Sequence, residues 1–133
     1  TAKEYDGFQV APGQNLNGHL TLGENTADNG GIRIAYQALM DTLAKEGAAG
    51  EPGYVDGKRD GYTPAQRFFI SFGQVWCQNE TEQAARVGAK TDPHSTGEWR
   101  TNGTVQNFDE FGKAFGCKVG QPMMPASGGC RTW

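Results

Sequence analysis

Apolar residues recur at helical spacing in three stretches of the chain, and glycine and proline crowd the intervals between them. The first stretch runs from about Leu22 to Glu46, with Ile32, Ala35, Tyr36, Leu39 and Leu43 on one face. Gly47 stands where a left-handed cap would end it. The second is marked at its start. Thr63 can cap it, Pro64 suits the first helical position, and Gln66 completes a capping box. Phe68, Phe69, Ile70, Phe72, Val75 and Trp76 then cover most of its circumference, the pattern of a buried helix. It is expected to continue, or to restart after a kink, through Glu80–Val87, where charges return. Gly88 and Pro93 bring a loop holding Asp92-Pro93-His94-Ser95. A third helix is expected over about Val105 to Phe115, with Phe108, Phe111 and Phe115 on one side and Gly116 beyond its end.

The rest reads as punctuation. Residues 1–20 hold Asp6-Gly7, Pro12-Gly13 and Asn17-Gly18, which predict an irregular N-terminal arm with one short strand around Gly7–Val10. Residues 47–62 form a glycine-rich loop with Asp-Gly turns at 56–57 and 60–61. The tail from Cys117 to Trp133 is expected to be extended. The class is mainly α.

Composition narrows this picture only a little. A chain of 133 residues is one domain's worth and can bury roughly two thirds of its unfolded surface. A net charge of −3 without a basic cluster argues against nucleic acid as a partner. No apolar run approaches a membrane span, so no membrane contact is expected of this segment. The start, Thr1-Ala2-Lys3-Glu4-Tyr5, shows no signal-peptide pattern, which leaves a cytosolic protein or one whose targeting segment has been removed. Cys77, Cys117 and Cys130 cannot all pair within one chain, and none forms a C-x-x-C pair. They are free buried thiols, or their partners lie in sequence outside this chain.

Chemistry concentrates in the run from Leu22 to Gly31. Glu24 and Asp28 are four apart, so on a helix both carboxylates project from one face and repel mildly. A cation, water or histidines from another helix would compensate them. Gly30 and Gly31 inside a helix cost roughly 1 kcal/mol each against alanine, which close approach of another backbone would offset. A second reading is structural: Thr21-Leu22-Gly23-Glu24 is itself a capping-box pattern and would employ Glu24 at the helix start. Spacing leaves both open.

The string Asn17-Gly18-His19-Leu20-Thr21-Leu22-Gly23-Glu24-Asn25-Thr26-Ala27-Asp28-Asn29-Gly30-Gly31 resembles the N-G-x-x-T-L-G-E-N-x-A-D-x-G-G signature of neprilysin-type zinc metallopeptidases. Further family motifs follow in order: Tyr62-Thr63-Pro64 with Gln66-Arg67-Phe68-Phe69, then Ser71-Phe72-Gly73-Gln74-Val75-Trp76-Cys77. Thr91-Asp92-Pro93-His94-Ser95, Arg100-Thr101-Asn102-Gly103, Phe111-Gly112-Lys113-Ala114-Phe115-Gly116-Cys117 and Cys130-Arg131-Thr132-Trp133 complete the series. The resemblance covers nearly the whole chain.

It implies that residues 1–133 are the C-terminal helical part of a zincin-like catalytic domain. Glu24 matches the third zinc ligand, the other two being histidines of an upstream H-E-x-x-H helix. Three protein ligands leave one position for water, as a catalytic zinc requires. Asp28 matches the aspartate that orients a ligand histidine, His94 the donor to the oxyanion, and Arg100 the arginine that binds a substrate carbonyl. Val75 and Trp76 match positions near the S1′ pocket. The substrate implied is an oligopeptide, the location extracytoplasmic, and the partner the missing N-terminal part of the domain. No H-E-x-x-H occurs here: the only histidines are His19 and His94, and His19 falls at a variable position. Thr26 and Thr96 depart from the usual residues. In disulfide-bonded relatives the three cysteine positions pair upstream, so unpaired thiols or bonds to another chain are expected here. Asn79 and Asn102 head N-x-[ST] sequons. The chain alone is expected to be inactive. The rival reading is a non-catalytic helical module that binds peptides or partner chains.

Overall fold

The computed structural model describes residues 1–48 and 57–130. It is mainly α. A one-turn helix α1 (Ala2–Tyr5) and a hairpin of β1 (Gln9–Ala11) and β2 (Gln14–Asn15) precede five longer helices: α2 (Leu22–Ala48), α3 (Pro64–Val75), α4 (Glu82–Thr91), α5 (Gly97–Val105) and α6 (Asp109–Phe115). The expected arm is therefore more ordered than its turn residues suggest. The strands pair antiparallel, with Gln9 opposite Asn15 and Ala11 opposite Gln14. Two contacts tie this unit to α5: Phe8 stacks on Trp99 with ring centroids 4.1 Å apart, and Trp99 Nε1 donates to the Gln9 carbonyl at 2.9 Å.

Helix α2 spans 27 residues, about 40 Å at 1.5 Å per residue. The turn before it is held by Asn17, whose Oδ1 accepts from the backbone N–H groups of His19 and Leu20 at 3.1 and 3.0 Å. Thr21 does not make with Glu24 the capping box that their spacing allows. Its hydroxyl donates to the Asn17 carbonyl and accepts from Asn25 Nδ2, so the Glu24 carboxylate is released for other contacts. Gly47 does not end the helix, which runs through it to Ala48. The expected Asp56-Gly57 turn involves residue 56, and the terminal Arg131-Thr132-Trp133 lies wholly beyond 130; both fall outside the described residues.

The core sits where α2, α3, α5 and α6 meet, around buried Ile32, Phe69, Val105 and Phe108. Phe69 lies at its centre, with the rings of Tyr36, Phe111 and Phe108 at 5.4, 5.4 and 5.8 Å. Two of these meet it nearly edge-on, the favoured geometry for aromatic quadrupoles. The Thr63 capping box forms as expected: Thr63 Oγ1 accepts from Gln66 N at 3.2 Å, and Gln66 Oε1 accepts from Thr63 N at 3.0 Å. Helix α3 is not buried all round, however. Only Pro64 and Phe69 are buried, and Val75 is 70% exposed.

Two boundaries depart from the periodicity. Helix α4 restarts at Glu82 and runs through Gly88 to Thr91. Buried Ala85 and Ala89 pack it on the hairpin, which offsets the roughly 1 kcal/mol that glycine costs. The expected helix from Val105 to Phe115 is two helices. Asn107 is buried; its Nδ2 donates to the Gly103 carbonyl, and its Oδ1 accepts from Cys130 N at 2.7 Å. Phe108 is extended there (φ −121°, ψ 106°), which turns its ring into the core ahead of α6. Gly116 ends α6 in the left-handed conformation, φ 68°, as expected. The tail is non-helical but not simply extended: it turns at Gln121–Met124 and returns to Asn107.

Candidate functional site

Four residues distant in sequence converge at the start of α2. Glu24 and Asp28 lie one turn apart, α5 brings Arg100, and the loop between α4 and α5 brings His94. Arg100 grips Asp28 with two parallel bonds, Nε to Oδ2 at 2.6 Å and Nη2 to Oδ1 at 2.8 Å. Nη2 also reaches Glu24 Oε2 at 3.3 Å. The repulsion of the paired carboxylates is thus answered by a cation of this chain. Both Arg100 and Asp28 side chains are 11% exposed, whereas Glu24 is 41% exposed. The Asp28 hydrogen bonds, more than burial opposes, push the Arg100 pKa up. The guanidinium also lies 3.9 Å from the ring centroid of Trp76, a cation–π contact that fixes its plane.

That arrangement needs α5 close to the end of α3. Gly97 opens α5 under the Trp76 carbonyl, where a Cβ would stand 2.3 Å from that oxygen. No other residue permits this approach without a backbone shift.

His94 lies between two carboxylates. Its Nδ1 is 2.8 Å from Asp92 Oδ1, and its Nε2 is 3.5 Å from Glu24 Oε2. The same Asp92 oxygen accepts from the His94 backbone N–H at 2.9 Å. Ionised Asp92 only accepts, so it holds a proton on Nδ1 and turns Nε2 toward Glu24. These bonds from His94, the backbone one first, lower the Asp92 pKa. Beneath this layer runs a buried one. Ser95 Oγ donates to Asn25 Oδ1 at 2.8 Å, and Asn25 is wholly buried.

His94 and Arg100 of this cluster line a cavity of about 290 Å³, together with Trp76, Glu80, Asp92 and Thr96 among others; Glu24 and Asp28 do not line it. Of the residues singled out in the sequence, Glu24, Asp28, His94, Arg100 and Trp76 come together. Val75 does not line this cavity. Gly31 is exposed with nothing within 4 Å of a Cβ built on it, so it serves no close backbone approach; Gly30 is buried. Asp92, Asn25 and Ser95 were not anticipated. The Asp-x-His spacing in a loop could have signalled the first, but the pairing of Asn25 with Ser95 leaves no trace in sequence.

As a metal centre the donor set is incomplete. Both Asp28 oxygens are bonded to Arg100. Glu24 offers an accessible carboxylate of which only Oε2 is engaged, so it fits the part of a single ligand. Among the described residues no group of three or more His, Cys, Asp or Glu side chains could hold a metal ion. Cys77, Cys117 and Cys130 are unpaired among the described residues.

The model of peptidase family M13 matches residues 1–130. The chain is 43% identical over 132 residues to membrane metallo-endopeptidase-like 1 of Mus musculus, covering 95% of this chain and 16% of that protein. It is 39% identical over 134 residues to neprilysin-3 of Drosophila melanogaster, covering 99% of this chain and again 16% of the relative. A solved structure of the Mycobacterium tuberculosis zinc metalloprotease ZMP1 with an inhibitor superposes with a TM-score of 0.80. It is 31% identical and covers 98% of this chain but 20% of that one. The chain belongs to peptidase family M13, the neprilysin type, and spans 16% of the length of these curated relatives.

Proposed function

We propose that the protein carrying this chain is a zinc endopeptidase that cleaves oligopeptides outside the cytoplasm. Residues 1–133 are then the C-terminal portion of its catalytic domain, and the two histidine ligands and the general base come from sequence outside this chain. One relative named a metallo-endopeptidase and a solved structure named a zinc metalloprotease support the class. The observation that carries the site is the convergence of Glu24, Asp28, His94 and Arg100, of which His94 and Arg100 line the cavity.

Zinc, where bound, supplies an ionisable water and a Lewis acid. Glu24 is the ligand this chain offers, its carboxylate exposed and one oxygen free of described partners. Asp28, bonded through both oxygens to Arg100, orients a ligand histidine through lone pairs that the guanidinium leaves over. The two N–H groups of Arg100 Nη1 have no acceptor among the described residues, and they bind a substrate carbonyl. His94, whose Nδ1–H is held by Asp92, acts as the doubly protonated imidazolium: its second proton, on Nε2, is the one donated to the oxyanion that forms on the scissile carbonyl. Trp76 forms one wall of the cavity, and Val75 extends the apolar surface beyond it.

The test is substitution in the whole peptidase. Glu24→Gln should strip zinc and activity together, whereas His94→Ala should keep zinc and lose about 10²–10³-fold in kcat. Full zinc content and full turnover in Glu24→Gln would overturn the proposal.

A further inference from the structure

We infer that Asn25 and Ser95 are positioning residues whose buried hydrogen bond sets the distance between Glu24 and His94. The inference rests on the reading of those two residues given above. Each member of the buried pair directly follows a member of the exposed pair: Asn25 follows Glu24, and Ser95 follows His94. Two rungs therefore link α2 to the loop. The outer one is Nε2 to Oε2 at 3.5 Å, beyond a firm hydrogen bond; the inner one is 2.8 Å and out of water. The short, dry rung governs the long, wet one, because consecutive Cα atoms are held about 3.8 Å apart.

The inner rung has a fixed polarity. The Thr21 hydroxyl gives its proton to the Asn17 carbonyl at 3.1 Å and so faces Asn25 as an acceptor. Asn25 Nδ2 must then point at Thr21, at 2.8 Å, which leaves Oδ1 for Ser95. A second bond, from Asn29 Nδ2 to the Asn25 carbonyl at 2.7 Å, stiffens the same turn. On the other side, Asp92 binds both the backbone and the ring of His94, so residues 92–95 move as one piece. Among the described residues, Ser95 to Asn25 is the one hydrogen bond joining that piece to α2. Without it the imidazole would keep its partner Asp92 and lose its registration on Glu24.

Ser95→Ala deletes a single oxygen and tests this in the whole peptidase. Expected is a fall in kcat of about tenfold or more, with KM within about twofold and zinc content unchanged. Ser95→Thr, which keeps the hydroxyl, should restore most of it. In a His94→Ala background, Ser95→Ala should cost little more, because the two act through one group. A merely structural serine would instead lower activity equally in both backgrounds, and that outcome overturns the inference, as does an unchanged kcat. An independent arm uses proton NMR of the chain: Ser95→Ala should move the His94 ring signals and leave those of His19 in place. Unmoved His94 signals overturn the inference even where the variants are inactive. Should Glu24→Gln retain activity, the zinc-ligand reading fails, and the NMR arm still decides the clamp.

Discussion

Arg100 shares one guanidinium among Asp28, Glu24 and the face of Trp76, and the planar fork is what lets it do so. Lysine carries the charge but cannot pair both Asp28 oxygens while stacking on indole. Because the Arg100 and Asp28 side chains are nearly enclosed, Arg100→Ala leaves a buried carboxylate unpaired and should cost about 3–5 kcal/mol in urea unfolding. Arg100→Lys should fall between that variant and the unaltered chain. A second expectation concerns Tyr5, which is wholly buried; burial pushes its pKa from 10.0 up to about 12. The folded state then holds a proton that the unfolded state releases, so stability is full below pH 10, falls between pH 10 and 12, and levels off above. The loss should be about 3 kcal/mol, read by denaturant titration, and Tyr5→Phe should abolish this component. For Asp92 the sign is opposite. Its pKa is lowered, so its contribution is present above the ordinary carboxylate range and disappears as pH falls through the lowered value. Asp92→Asn should therefore differ from the unaltered chain at neutral pH and converge with it in acid.

At the scale of elements, the cap of α3 and the glycine of α5 control how the site's walls are set. Thr63→Ala removes a cap that accepts from Gln66 N and should cost about 1 kcal/mol by thermal or urea unfolding. That element was legible because its signal is local: Thr-Pro-x-Gln fixes its own hydrogen bonds. The Asp60-Gly61 turn was legible for the same reason, and both residues take positive φ, 53° and 83°. Helix α5 was not legible. Gly97, Thr101, Asn102, Gly103 and Thr104 form helix poorly, and the segment is helical because Gly97 tucks under Trp76 while Gly103 tucks under Tyr5 and Phe8. Periodicity also ran the third helix through Asn107, whose buried side chain breaks the backbone pattern that the flanking phenylalanines suggest. Glu24 shows the same limit at the site: its capping motif could be set aside only once Thr21 was seen bonded to Asn17 and Asn25. Contacts that the local pattern does not encode decided each of these.

At the scale of the molecule, charge is arranged so that one cation stands between an inner carboxylate and an outer one. Arg100 pairs both oxygens of Asp28 and reaches one of Glu24, which leaves Glu24 as the more exposed acid beside an exposed imidazole. Two such groups are too few to hold zinc against water, since a tetrahedral site needs three protein donors even when catalytic. The chain by itself is therefore expected to show no saturable zinc binding at micromolar concentration by calorimetry, and no hydrolysis of a small peptide with zinc added. Adding back a polypeptide that supplies an H-E-x-x-H helix should produce binding that depends on Glu24, because metal affinity rises steeply with each correctly placed donor. Glu24→Gln should lose that binding, while Asp28→Asn should weaken it about 10–100-fold through the histidine it orients. Saturable binding or turnover by the chain alone would show that its own donors suffice, and would refute the division of the site between this chain and sequence outside it.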